Sequence, residues 1–276
     1  MAHEYETLSW EVKDRIGVIT FTRPESRNPF SQAFKDDLLH LLREIQFADD
    51  LGAVIMTGSG GAFSAGGDLK GMNAGPRKTE ADRRRMYQLH DWFQVLLNLE
   101  VPVIAAVDGA AYGGGFGLAL GSDFVLASTR ARFCCVFQRI GLVPDVGCLF
   151  TLPRIVGLQK AKEIAYTARP ILADEAKALG IAMDVHPPEE LMDAAMALAG
   201  RLAQASTPAI GATKRILNQS FNLDAHALVE MEAAAQAIFF TTDYHKDAVR
   251  RFVDKEQLAF NWEAMDKADK AAAGDG

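Results

Sequence analysis

At 276 residues the chain can bury a substantial core, either as one large domain or as a core with a smaller appendage. Its 49% hydrophobic and 24% charged residues are ordinary for a soluble globular protein, so neither disorder nor a membrane class is favoured. With 29 Lys and Arg against 36 Asp and Glu the net charge is -7, so no nucleic-acid partner is expected, although backbone N–H groups or a local basic patch can still hold an anion.

Residues 1–17 carry charges throughout and lack the apolar stretch of a secretory leader. No later segment is long and apolar enough to span a bilayer, so the expected location is cytoplasmic, with no membrane partner. The three cysteines comprise an adjacent pair, Cys134 and Cys135, and a separate Cys148. That pattern gives neither a secreted disulfide framework nor metal-ligand spacing; buried thiols and no metal are expected.

The first elements read as a β-hairpin, with strands over residues 10–12 and 16–21 and Gly17 close to the turn. A helix follows, capped by Ser31, with Phe34, Leu38, Leu41, Leu42 and Ile45 on one face. Short apolar runs at 53–57, 103–107 and 124–127 suit strands buried on both faces, as in α/β layers with helical crossovers. Between the first two lies the polar, charge-rich segment 73–85, which predicts a mobile surface loop of the kind that forms a substrate lid, leading into a helix over 85–99. Beyond Pro153 the pattern turns helical: 174–179, 189–203, a helix with Thr207 as cap and Pro208 at its first position, then 224–240 and 242–252. The strand-rich part, residues 1–205, therefore predicts an α/β core, and residues 206–276 a helical region with a frayed end after Asp266.

Two segments carry the chemistry. Gly61-Ala62-Phe63-Ser64-Ala65-Gly66-Gly67-Asp68-Leu69-Lys70 follows a buried strand and is nearly free of bulky side chains, so something approaches its backbone closely. The alternative for a Gly-Gly pair by itself is a tight turn. Asp108-Gly109-Ala110-Ala111-Tyr112-Gly113-Gly114-Gly115-Phe116-Gly117-Leu118 has the same character and then becomes helical, which aims unpaired N–H groups and a positive dipole end at any developing negative charge. Neither segment has the spacing of a nucleotide-binding fingerprint or a P-loop.

Together these segments resemble the crotonase, or enoyl-CoA hydratase/isomerase, superfamily. The resemblance extends through Arg23-Pro24-Glu25-Ser26-Arg27-Asn28 and Ile140-Gly141-Leu142-Val143-Pro144-Asp145 to nearly the whole chain. It implies an α/β spiral of ββα units followed by a C-terminal helical trimerisation region, and a homotrimer or a hexamer of paired trimers. It further implies an acyl-CoA thioester substrate, with coenzyme A as part of the substrate and no separate cofactor. The oxyanion N–H groups map to Gly67 and Gly114. Ser26, Arg27, Asn28, Ala65, Asp68, Leu69 and Lys70 map to the coenzyme A path; Arg27 and Lys70 have solvated side chains as the alternative. Tyr112, Phe137 and Pro144 are further candidates for binding the CoA or acyl part, Phe137 standing where the dehalogenases of the superfamily keep a ring-binding aromatic.

The resemblance also frames the reaction. Hydratases of this kind use two glutamates, whose positions hold Gly117 and Phe137 here, and neither can move a proton. Asp145 stands where isomerases of the superfamily, including the ring-opening isomerases of phenylacetate breakdown, keep a lone proton-shuttling carboxylate, so double-bond migration in an enoyl-CoA is the favoured reading. Burial beside an apolar acyl pocket should raise its pKa. A turn-capping aspartate is the alternative. Other readings are a hydratase-type lyase, a dehalogenase-like hydrolase of halo-aroyl-CoA in which Asp145 is the nucleophile and His90 activates water, and an acyl-CoA-binding protein without catalysis. His90 lies among Met86, Leu89, Phe93 and Leu97, where a structural histidine is the alternative.

Overall fold

The computed structural model describes residues 3–267 except 73, 74, 76 and 77, and of Lys70 and Met72 only the backbone. Strands Leu8–Lys13 and Ile16–Phe21 form the antiparallel hairpin that the alternation predicts. Its turn is made by Asp14 and Arg15, with φ of 51° and 66°, the left-handed pair a two-residue hairpin loop requires. Gly17 serves packing instead of the turn, because a Cβ there would fall 1.9 Å from the Trp10 ring and the glycine makes room for the indole.

Ala53–Gly58, Val103–Val107, Phe124–Ser128 and Asp184–His186 continue from Ile16–Phe21 as parallel neighbours, completing a six-stranded sheet. Three of these strands are each followed by a shorter strand of a second sheet: Ala62–Ser64, Ala110–Tyr112 and Arg132–Cys134, with Ile171–Leu172 at the edge. This winding is the α/β spiral that the resemblance implies. Alternation across the large sheet divides the core: Ile55, Ile104 and Leu126 meet helix Leu191–Leu202, whereas Val54, Met56 and Val103 face the main cluster.

Into that main cluster, helix Gln32–Ile45 buries Phe34, Leu38, Leu41, Leu42 and Ile45, and Ser31 Oγ accepts a hydrogen bond from Phe34 N at 3.1 Å. Each such side chain contributes about 1.5–3 kcal/mol by burial. All three cysteines are buried and free.

Most helix boundaries differ from the sequence reading by a residue or two, and two by more. The helix placed at 85–99 spans Thr79–Leu97 and so absorbs much of the charge cluster. Glu80 and Asp82 sit in its first turn, where the dipole favours acids, and pair forward with Arg84 at 3.3 Å and Arg85 at 3.2 Å. Of the expected loop, residues 73, 74, 76 and 77 lie outside the described residues. Pro153 lies inside helix Cys148–Val156, so the helical region begins before it; that helix ends at once afterwards, at Gly157 with φ 77°.

Ser206, and not Thr207 as the sequence suggests, stands at the N-cap position of helix Thr207–Gln219, without a side-chain cap hydrogen bond; proline lies in the first turn, and the helix docks on the core. Lys214, buried, pairs with Asp123 at 2.6 Å and donates to Val101 O at 2.9 Å; Arg215 pairs with Glu100 at 2.6 Å. Helices Ala225–Phe239 and Asp243–Val253 bury no residue; Asp224 and Thr242 cap them, their side chains accepting from Ala227 N and His245 N. Trp262, partly buried, packs on the second core cluster beneath Arg201, 4.7 Å from the ring centroid. The end expected to fray after Asp266 lies, beyond Lys267, outside the described residues. Among the described residues no helix is long and apolar enough to cross a membrane.

Candidate active site

The two glycine-rich segments lie backbone to backbone. A Cβ at Gly66 would come 2.3 Å from Tyr112 O and 3.1 Å from Gly114 N, and one at Gly115 would come 2.5 Å from Ser64 O. Only glycine permits that approach. The first segment is held by a short parallel pairing of Gly66–Gly67 with Pro29–Phe30, and by Ala65 N donating to Arg27 O at 2.8 Å. The second turns at Gly113, φ 52°, into helix Gly114–Leu120. Gly114 thus opens a helix, where N–H groups have no partner within it.

Between the segments lies a cavity of about 430 Å³ lined by Ala65, Gly67, Asp68, Leu69, Tyr112 and Gly114. Phe137 and Asp145 close its other wall. Eight of the residues singled out in the sequence are therefore brought together. Asp68 also caps the short helix Leu69–Met72, accepting from Gly71 N at 3.1 Å. Ser26 and Arg27 are exposed, next along the chain to Asn28. Asn28 does not line the cavity: it is buried, its Nδ2 donates to Ala62 O at 2.7 Å and Ser59 O at 3.1 Å, and its Oδ1 accepts from Arg23 N at 2.9 Å. Its side chain therefore holds the glycine loop in place. The side chain of Lys70 lies outside the described residues.

A larger cavity, about 990 Å³, adjoins the first; Arg85, Met86, Leu142 and Asp145 line both. Pro144 and His90 line this second space, His90 with its ring edge-on to Phe93 at 6.2 Å. Burial lowers the His90 pKa and so favours the neutral ring. Asp145 stands at the junction. Burial pushes its carboxyl up to about 6 from an ordinary 3.8, against a smaller opposing pull from backbone hydrogen bonding and the Lys35 ammonium.

The chain behind Asp145 is strained. Val146 has φ 51°, a left-handed conformation unusual for a β-branched residue, and Gly147 follows at 71°. Such a conformation costs about 1–3 kcal/mol and persists only where surrounding packing fixes it. Phe93 does so here: a Cβ at Gly147 would fall 1.9 Å from its ring. Val146 in turn lies over helix Gly114–Leu120, and a Cβ at Gly117 would come 2.5 Å from Val146 O.

Lys35, Arg85, Phe30 and Met86 also line the smaller cavity and are not among the site residues read from the sequence. Lys35 lies beside the apolar stripe of its helix, and Arg85 reads as one of a run of surface arginines, so neither is distinguished by spacing. Among the described residues no group of three or more His, Cys, Asp or Glu side chains could hold a metal.

A family model described as enoyl-CoA hydratase/isomerase matches residues 11–264. The chain belongs to that family. Among relatives in the enoyl-CoA hydratase/isomerase family it is 32% identical to the short-chain-enoyl-CoA hydratase of Clostridium acetobutylicum, over 92% of this chain and 97% of that one. It is 30% identical to the 1,2-epoxyphenylacetyl-CoA isomerase of Escherichia coli K12, over 92% and 98%. A solved enoyl-CoA hydratase/isomerase structure from Cupriavidus metallidurans CH34 superposes with a TM-score of 0.87 at 37% identity, covering 94% of this chain and 98% of that one. Hydratase names are the most frequent, and isomerase and dehalogenase names occur at 30–33% identity too. Identity level therefore does not select the reaction within the family.

Proposed function

We propose that this chain moves a double bond in an enoyl-CoA, with Gly67 and Gly114 N–H groups stabilising the thioester enolate and Asp145 carrying the proton. The observation that supports it most is the environment of Asp145: a carboxyl raised to about 6, at the edge of the oxyanion cavity, with Gly117 and Phe137 at the positions where a hydratase would keep its acids. A base of that pKa is ionised at neutral pH yet holds a proton long enough to return it. Asp145 takes a proton from the carbon next to the double bond, the C–H electrons move to the thioester oxygen, and the conjugated enolate takes the proton back at its far carbon. Nothing is oxidised and no water is added. The two N–H groups meet the oxygen where charge develops, and loss of one such donor typically costs about 10²–10³ in rate.

The test is conversion of a 3-enoyl-CoA to its 2-enoyl isomer in deuterated water by the parent protein and Asp145→Asn. The variant should still bind acyl-CoA while isomerisation falls by about 10²–10⁴. A variant that isomerises at the parent rate sinks the assignment. His90 beside the same cavity as Asp145 favours one further reading, hydrolytic dehalogenation of a halo-aroyl-CoA. Single turnover in ¹⁸O-water separates the two: a nucleophilic Asp145 passes an oxygen of its own carboxylate to product, and a shuttling one exchanges only hydrogen. The exposed faces of the last helices, with Phe240, Phe252 and Val253, support assembly as a homotrimer or hexamer.

A further inference from the structure

The smaller cavity has a polar branch. A third space, of about 270 Å³, opens between helices Gln32–Ile45 and Thr79–Leu97, and it shares Gln32, Lys35, Arg85 and Leu89 with the cavity that holds Gly67, Gly114 and Asp145. Beyond them this branch is lined by Arg43, Gln88, Leu39, Asp36 and Asp91. Three cations therefore face two acids.

The cations are unequally satisfied. Arg85 pairs with Asp82 at 3.2 Å, and Asp36 accepts from Gln32 at 2.9 Å. Among the described residues the Lys35 ammonium has neither a hydrogen bond nor an ion pair, the backbone N–H alone donating, to Ser31 O at 3.2 Å. It is half-buried, and its proton affinity is lowered first by burial and then by the neighbouring Arg85 charge, while the pull of Asp36, Asp145 and Asp68 is weaker. An ammonium that has lost part of its water, stands beside a second cation and has no anion within pairing distance is electrostatically incomplete. An anion entering from the cavity would complete it with a charge-assisted hydrogen bond.

We propose that the polar branch receives a negatively charged far end of the acyl group, so that Lys35, aided by Arg85, selects acyl-CoA thioesters ending in a carboxylate over those ending in a methyl group. The inference rests on the proposed acyl-CoA function, since the thioester carbonyl at Gly67 and Gly114 sets which end of the ligand reaches Lys35. An aliphatic tail in the same branch would strip water from Lys35 and offer nothing in return. Asp145 stays at the middle of the ligand, and the far carboxylate fixes the carbon chain against it.

The experiment measures equilibrium binding of saturated acyl-CoA thioesters, which cannot isomerise, to the full-length protein. Carboxyl-ended and methyl-ended chains of matched, stepped length are compared with free coenzyme A, for the parent and for Lys35→Met, at about pH 8, where carboxylates are ionised. The parent should bind the best carboxyl-ended thioester about tenfold or more tightly than its methyl-ended match, and Lys35→Met should lower that ratio about ten- to a hundredfold. A parent with no carboxyl preference overturns the inference even if the variant does not fold. So does an equal loss by Lys35→Met for both thioesters and free coenzyme A, which would place Lys35 on the nucleotide phosphates. Binding without carboxyl preference leaves the isomerase reading standing; failure of every thioester to bind would remove that reading and this inference together.

Discussion

Asp145→Asn should make the protein more stable while it disables it, and the size of the gain depends on pH. In the folded chain the carboxyl holds its proton up to about 6, against an ordinary 3.8. Between those values the folded state carries a proton that the unfolded chain has released, so unfolding loses a proton. The Asp145 contribution to stability is full below about 3.8 and is lost as pH rises through about 6. At about 1.4 kcal/mol per decade, the gap of about two decades corresponds to about 3 kcal/mol of stability given up to keep an ionised base in an apolar setting. Asparagine has the shape of the neutral acid and gives up nothing. Urea denaturation at fixed protein concentration, which an oligomer demands, should find Asp145→Asn about 3 kcal/mol more stable than the parent near pH 8 and about equal to it near pH 4. The parent's isomerase rate should rise with pH through about 6, as the base ionises. A stability difference that does not change with pH would refute the argument that burial of charge governs this site.

Gly117→Glu, which restores a hydratase acid, should not produce a hydratase: its Cβ would press on Val146 O at 2.5 Å, so thermal unfolding should show a loss of about 1–3 kcal/mol and crotonyl-CoA should gain no water. Hydration without loss of Tm would show that Val146 yields. Gly114→Pro should leave circular dichroism intact, since proline suits the first position of a helix, and should lower isomerase kcat by about 10²–10³ through loss of one N–H. Full activity in a folded Gly114→Pro variant would exclude that donor. Because Ile238, Phe240, Phe252 and Val253 are 61–75% exposed, sedimentation at micromolar concentration should find a trimer or hexamer, and a stable monomer would reject intersubunit burial of these helices.

Features set by neighbouring residues were legible in the sequence alone. Helix Gln32–Ile45 and its Ser31 cap follow from spacing, and the buried parallel strands from continuous apolar runs, because periodicity and capping act over a few residues. The glycine segments were legible for a related reason: a backbone that another backbone approaches as closely as Gly66 approaches Tyr112 O leaves no room for a Cβ, and composition records that. The resemblance these segments carry extended the reading to the spiral fold and to Asp145. Boundaries proved less legible where two local signals compete. The charges of residues 79–85 read as loop, yet their placement at the positive end of a helix, with pairing one turn ahead, makes them helical. Tertiary structure alone decided what depends on distant segments meeting. Lys35 and Arg85 lie on different helices and share a cavity wall; Val146 closes the space above Gly117; Trp262 returns to its own core. The raised pKa of Asp145 has a value only there, because the free energy of a charge is set by how much water the folded chain removes from it and by which charges it brings near.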